Sequence, residues 1–225
     1  METGEIKVIE LTFVNAFLVK VSEGFILIDT GVSMVWDSLE RRLLSEGCLP
    51  DKLKLVVVTH GDMDHTGGCL KLQEKYHCKI AIHEADLPMV ERGVFLKRKV
   101  KSFRARFFMV LRRLMRRQLM NRLSGNTFKP DLFLPDGQDL HEYGYDAKII
   151  HIPGHTPGSI GILAEDGSFF AGDIFNNRKR PGTATYIEND AELKASLARL
   201  KTLPIRTVYP GHGRAFDFEM IRERL

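Results

Sequence analysis

A buried strand that ends in a cluster of charged and imidazole side chains is the feature that most constrains this chain. The apolar run at residues 53–59 has the near-continuous hydrophobicity of a strand covered on both faces. It leads directly into His60-Gly61-Asp62-Met63-Asp64-His65, in which four of the six side chains can bind a metal ion. The glycine lets the backbone bend, so neighbouring side chains can point at one centre. The sequence therefore predicts a metal-binding turn at the end of a buried strand.

Three later segments have the same form, with a strand, a turn of small residues and then a candidate ligand. They are Ile152-Pro153-Gly154-His155, Phe170-Ala171-Gly172-Asp173 and Tyr209-Pro210-Gly211-His212. The glycine beside each ligand permits close approach of the backbone. The alternative for the first segment is a polar turn in which an aspartate caps the next helix. The candidate ligands of all four segments are His60, Asp62, Asp64, His65, His155, Asp173 and His212.

The order of secondary-structure signals predicts an α/β fold. Strand patterns at residues 6–11, 16–21, 25–28 and 53–59 surround a helical pattern at 35–46, and strands and a helix alternate again after residue 146. A chain of 225 residues is long enough to bury a core as one domain. We therefore expect a single domain over residues 1–225.

A basic segment interrupts this alternation at about residues 87–130. Between Arg92 and Arg122 there are twelve Lys or Arg residues and no Asp or Glu, although the whole chain has a net charge of only +4. Apolar residues recur at helical spacing from Leu96 to Leu114, which predicts one or two inserted amphipathic helices. Their cationic face is interpreted as a solvated face of a lid or of a homodimer contact. Binding to nucleic acid or to an acidic membrane surface is the alternative.

Targeting and redox signals are weak in this sequence. The three cysteines match no metal or redox motif and are expected to be reduced and buried. The first ten residues lack the apolar core of a secretory signal, and no window approaches eighteen uninterrupted apolar residues. We therefore predict a cytoplasmic protein without a transmembrane segment.

The four ordered motifs together resemble the metallo-β-lactamase fold superfamily. That family has H-x-H-x-D-H followed by Gly-His, Gly-Asp and Gly-His, and T-H-G-D-M-D-H-T-G-G, P-G-H-T-P-G-S, A-G-D and P-G-H-G stand in those places here. The resemblance implies an αββα sandwich, with two mixed sheets flanked by helices and metals at one edge. Leu27-Ile28-Asp29-Thr30-Gly31 is also similar to the family's N-terminal segment, where Asp29 would be structural rather than a ligand.

The resemblance implies two metals that share a carboxylate: His60, Asp62 and His155 hold the first, Asp64, His65 and His212 hold the second, and Asp173 bridges them. The chain departs from the family at Asp62, where histidine is usual. Two divalent cations (+4), three carboxylates (−3) and one hydroxide (−1) sum to zero, whereas a histidine at position 62 would leave +1. We expect Zn first, and Fe or Mn are the alternatives because the additional oxygen ligand favours harder ions.

The implied reaction is attack of a metal-bound hydroxide on a carbonyl or phosphoryl centre, with Asp64 positioning the nucleophile and accepting its proton.

The form P-G-H-T-P-G-S is similar to the branch that contains thioesterases and lactonases, whereas H-x-D-x-D-H-x-G-G is similar to DNA-uptake competence proteins. The first expectation is a hydrolase of a small ester, thioester or lactone, whose substrate can be anionic. A nuclease or phosphodiesterase is the alternative. A degenerate, non-catalytic binding module is third, and the intact ligands at six family positions, together with Asp62, argue against it.

Overall fold

The fold is taken from a computed structural model, which describes residues 4–12, 14–93, 99–100 and 127–225. The first of two large sheets has six strands, in the order β1 (Ile6–Leu11), β2 (Val14–Val21), β3 (Gly24–Ile28), β4 (Leu53–Val57), β5 (Lys79–Ile82) and β7 (Leu132–Phe133). β1, β2 and β3 are antiparallel, whereas β3, β4, β5 and β7 are parallel. The parallel strands therefore end at one edge of the sheet.

The second large sheet has the order β14 (Phe216–Asp217), β13 (Thr207–Gly213), β10 (Ser168–Asn177), β9 (Ile160–Ala164) and β8 (Ala147–His151), and β11 (Gly182–Thr183) pairs with β10. Among the described strands of this sheet, only β10 and β13 are parallel. A small third sheet pairs β6 (Lys99–Val100) with β12 (Tyr186–Ile187).

Side chains alternate between the two faces of each strand, so the apolar side chains form three layers. Phe17 of β2 and Phe170 of β10 face each other between the sheets, with ring centroids 5.2 Å apart. The opposite faces pack against helices, which explains why the strands are apolar on both sides. The helices are α1 (Trp36–Ser45), α2 (Met63–Thr66), α3 (Cys69–Tyr76), α4 (Leu87–Arg92), α5 (Asp190–Lys201) and α6 (Glu219–Arg222). The predicted αββα sandwich is confirmed.

Two strands extend beyond the lengths that the sequence predicts. The patterns at residues 168–171 and 207–209 predict strands that stop before the Gly-Asp and Gly-His turns, but β10 continues to Asn177 and β13 to Gly213. The two strands stay paired by means of register shifts, and Asn176 lies opposite His212. Gly172 has φ of +49°, a conformation that favours glycine, and it lies at one of these shifts. Two candidate ligands therefore lie on irregular strands rather than in loops.

Most of the predicted basic insertion lies outside the described residues, since 94–98 and 101–126 are not described. Its described parts include α4 and the backbone of β6. Cys48, Cys69 and Cys78 are buried, and none forms a disulfide. Within the described ranges, the helices are too short or too polar to cross a membrane.

Candidate metal centre

The seven candidate ligands converge at the edge where the strands end. His60 to His65 follow β4 and enter α2, His155 lies in the loop after β8, Asp173 lies on β10 and His212 lies on β13. They form three overlapping groups, in each of which the donor atoms lie within 4.8 Å of one another. The groups are His60–Asp62–His155, His60–His65–Asp173 and Asp64–His65–His212. We call the first group the Asp62 trio and the last the Asp64 trio.

Asp173 lies between the two trios. Its Oδ1 is 3.3 Å from His65 Nε2, and its Oδ2 is 3.3 Å from His212 Nε2 and 3.7 Å from His155 Nε2. One carboxylate thus reaches imidazoles of both trios. This position agrees with the bridging role that the family resemblance implies, and that role stays a prediction.

Hydrogen bonds on the outer side of three imidazoles orient them. Nδ1–H of His65 donates to Asp29 Oδ2 over 2.7 Å, and Nδ1–H of His155 donates to the carbonyl of Tyr186 over 2.7 Å. The Thr59 hydroxyl donates to Asp29 and accepts from Nδ1–H of His60 at 3.0 Å. In all three residues the Nε2 atom is left to face the centre, which is the arrangement found in metal-binding histidines.

Unpartnered buried atoms at the centre fit a bound cation. His60 Nε2, His65 Nε2 and Asp173 Oδ1 are buried and have no hydrogen-bond partner among the described residues. Buried polar atoms without a hydrogen bond are costly, and His65 Nε2 and Asp173 Oδ1 face each other at 3.3 Å without forming one, so a cation bound among these atoms would compensate the cost. Imidazole nitrogen and carboxylate oxygen are suitable donors for Zn, Fe or Mn. The residues therefore fit the divalent cations that the motifs predict.

Charged neighbours and burial strongly shift the pKa values of the side chains at the centre. Burial opposes ionisation of Asp173, but the positive charges of His212 and His65 outweigh it and hold the pKa of this carboxyl well below its usual value. Burial likewise opposes protonation of His65, yet Asp29 and Asp173 raise the pKa of His65 well above the usual value. The pKa of His212 rises to about 9 because Asp173 outweighs burial. Burial and the charge of His65 lower the pKa of His60.

Sequence reasoning missed one buried carboxylate near the centre, that of Asp86. This residue lies after β5 and is completely buried, and it accepts hydrogen bonds from both loops that carry the Asp62 trio. The one signal in the sequence is that Asp86 comes soon after a strand, β5, which the structure shows to run parallel to β4. That signal does not distinguish it from an ordinary helix-capping aspartate.

Comparison with known proteins supports the same family. The sequence model of the metallo-beta-lactamase superfamily matches residues 9–212. Hydroxyacylglutathione hydrolase GloC of Haemophilus influenzae is 29% identical over 166 residues, which cover 72% of this chain and 69% of that protein. Human acyl-coenzyme A thioesterase MBLAC2 is 26% identical over 233 residues, covering 92% and 75%. The crystal structure of TTHA1623 in a di-iron-bound form has a TM-score of 0.68 at 24% identity and covers 96% of each chain.

We predict that Gly211→Ala damages the centre directly. A Cβ at this position would lie 2.6 Å from His65 Cε1 and 2.8 Å from Asp173 Oδ1, so both side chains would have to move. A displacement of about 1 Å in a catalytic site can cost about 10²-fold in rate, and we expect a loss of kcat/KM of that order. Gly182→Ala is the matched control, because the nearest atom to its added methyl group is 3.9 Å away. Equal activities of the two variants would contradict the prediction.

We also predict that cation affinity increases with pH up to about 9. His212 has its pKa raised to about 9 and is protonated at neutral pH, and an imidazolium must lose its proton before it can bind a cation. The dissociation constant for Zn²⁺ at the Asp64 trio, measured by chelator competition, should therefore fall by at least about tenfold per pH unit between pH 7 and 9, and more steeply because His65, whose pKa is also raised, must lose its proton as well. A dissociation constant that does not change over this range would show that His212 is neutral or does not bind the cation.

Proposed function

The chain belongs to the metallo-beta-lactamase superfamily, and on this premise we propose that it is a metal-dependent hydrolase that cleaves thioesters. The observation that carries the proposal is the convergence of seven donor residues from four chain segments on one centre, where three buried donor atoms have no hydrogen bond to a described residue. The choice of thioesters rests on relatives that cover most of the chain. Hydroxyacylglutathione and acyl-coenzyme A, in their names, are both thioesters.

Two divalent cations, Zn first and Fe or Mn as alternatives, would be held by the Asp62 trio and the Asp64 trio, with Asp173 shared between them. When bound, they would supply Lewis acidity and lower the pKa of a bound water. In the reaction, water adds to the thioester carbonyl, the C–S bond breaks, and a carboxylate and a thiol are released.

Asp64 is the proposed catalytic residue. Its side chain is 39% exposed, so it lies at the open side of the centre, and its Oδ2 is 3.5 Å from His212 Nε2. Burial would raise the pKa of Asp64, but the hydrogen bond from His212 and the charge of His65 outweigh it and lower the pKa. An ionised Oδ2 can orient the attacking water and accept its proton.

A basic cluster beside the centre supports an anionic substrate. Arg178, Lys179 and Arg180 are exposed and follow the end of β10, and exposed Arg214 follows His212 by two residues. Hydrogen bonds between Asn177 and Arg214 hold the two segments together. Within the described ranges, no carboxylate forms a salt bridge with any of the four cations, so they are available to a ligand. Carboxylates of glutathione or phosphates of coenzyme A have the required charge.

The remaining expectations stay predictions. The basic cluster would also bind a nucleic-acid backbone, which keeps a nuclease or phosphodiesterase as the second candidate function. A cytoplasmic location and a homodimer formed through residues 87–130 are proposed on the sequence alone.

A substrate panel tests the proposed function. We expect hydrolysis of acyl-coenzyme A or acylglutathione, with kcat/KM about tenfold above that of a neutral thioester because the basic cluster attracts anions. The panel adds an oxygen ester, a lactone and bis-nitrophenyl phosphate, each assayed with Zn, Mn and Fe. The variant Asp64→Asn is the control, and it should lose thioester hydrolysis by about 10²-fold or more. Cleavage of the phosphodiester without thioester hydrolysis would establish the second candidate function instead.

The identity of residue 62 should decide the metal preference. We predict that Asp62→His increases the preference for Zn over Mn, since it replaces an oxygen ligand by an imidazole and adds one unit of net positive charge. Metal content after purification from medium with equal Zn and Mn, measured by elemental analysis, checks this. An unchanged ratio would mean that residue 62 does not bind the cation.

A further inference from the structure

Asp86 is a completely buried carboxylate that takes no part in the groups of candidate ligands. It ends the short 3-10 helix Glu84–Asp86, which follows β5. In the described part of the chain no Lys or Arg forms a salt bridge with it, and three hydrogen bonds to its two oxygen atoms are present there. A buried carboxylate needs such compensation, which makes its contacts specific.

The contacts of Asp86 join two distant loops. Its Oδ2 accepts hydrogen bonds from the Gly61 amide and from the Thr156 hydroxyl, and its Oδ1 accepts one from the Gly158 amide, each at 2.7 Å. Gly61 lies between His60 and Asp62 in the chain. Thr156 and Gly158 lie directly after His155. The carboxylate therefore ties together the two backbone segments that carry the Asp62 trio.

The surroundings of Asp86 are shaped for this contact. A Cβ on Gly158 would lie 2.6 Å from Asp86 Cγ, so only a glycine permits the approach. The Thr156 hydroxyl also lies 2.7 Å from Ser159 Oγ, and Ser159 Oγ accepts from the Thr156 amide. Since Thr156 donates to Asp86, Ser159 donates to Thr156. The loop is thus ordered around a group that only accepts hydrogen bonds.

The Asp64 trio is held by other contacts. Its His65 is oriented by Asp29, and its His212 lies on β13. No hydrogen bond from Asp86 reaches the backbone of these elements within the described residues. Asp29 orients His65 and, through Thr59, also His60, whereas the hydrogen bonds of Asp86 reach only the two loops of the Asp62 trio within the described residues.

We propose that Asp86 is a positioning residue that fixes the separation of the loops carrying His60 and His155, and thereby sets the cation affinity of the Asp62 trio and not that of the Asp64 trio. The inference rests on the proposed function in one respect, namely that the trios hold cations. It adds Asp86, which is not part of the four motifs, and it predicts that this residue affects the cation affinity of one trio and not of the other.

The test is the variant Asp86→Asn in the full chain, titrated as apoprotein with Zn²⁺ against a chromophoric chelator. The amide has one acceptor oxygen and would turn N–H groups toward a donor, so at least one of the three hydrogen bonds is lost. Loss of an outer contact of this kind weakens metal binding by about 10- to 100-fold, and we expect that change in one of two dissociation constants. In an Asp62→Ala background, where the Asp62 trio is incomplete, Asp86→Asn should not change the remaining constant.

Asp131→Asn is the matched control. Asp131 also accepts a backbone hydrogen bond, from Ile80 at 2.8 Å, and one from the Gln73 side chain at 3.0 Å, but it does not contact either loop of the Asp62 trio. We expect this variant to leave both dissociation constants unchanged. Equal weakening of both constants by Asp86→Asn, or a lower Tm with both constants unchanged, would overturn the inference and leave Asp86 a purely structural role.

Thr156→Val decides the question if Asp86→Asn does not fold. It removes one donor and keeps the carboxylate, so a smaller weakening of the same single constant is expected. Two unchanged constants in this variant would overturn the inference. If the wild-type protein binds two cations and these variants bind them with the same two dissociation constants, the inference is refuted and the proposed function is not. A wild-type protein that binds none would refute the proposed function as well.

Discussion

The buried carboxylate of Asp29 is the contact on which the rest of the centre depends. It follows β3 in a left-handed conformation, with φ of +58°, which is unfavourable for a residue with a side chain. In this position it accepts hydrogen bonds from the Thr59 amide and hydroxyl at the end of β4 and from His65 at the start of the next helix. One strained residue thereby aligns two parallel strands and, through Thr59, also His60. Hydrogen bonds to this fully buried carboxylate offset the cost of the strain.

Mutual compensation of charge explains how so many ionisable groups share one buried region. Asp173 is stabilised as an anion by His65 and His212, and both histidines are in turn favoured as cations by Asp173. A divalent cation replaces the protons of these imidazoles and keeps the same sign of charge opposite the carboxylate. The centre is therefore electrostatically suited to a cation before one binds. His60 differs, because burial and the charge of His65 lower its pKa, so its Nε2 atom carries no proton that would compete with a cation.

Local patterns in the sequence predicted the α/β fold and the candidate ligands, whereas the αββα sandwich and the shared centre were implied by the resemblance of the four ordered motifs to a known family. Apolar runs covered on two faces identify buried strands, and a glycine beside each ligand identifies a strand end. The full lengths of β10 and β13 could not be predicted, because register shifts keep them paired where the local sequence indicates turns. Asp86 was missed for a related reason. Its partners lie 25 to 72 residues away in the chain, and no single-sequence pattern records contacts over such separations.

In the proposed function, Asp62 would link the electrostatics of the centre to the choice of substrate. One of its oxygen atoms lies 3.2 Å from His155 Nε2 and 3.4 Å from His60 Nε2, so a single anion serves the whole trio. A carboxylate at this position lowers the net positive charge and hence the Lewis acidity that the site can supply. A thioester tolerates this loss better than an oxygen ester or a phosphodiester, because its leaving thiol has a pKa of only about 8.5 and needs little further stabilisation. In the proposed thioester hydrolysis, the departure from the usual histidine would therefore favour cleavage of the more reactive C–S bond.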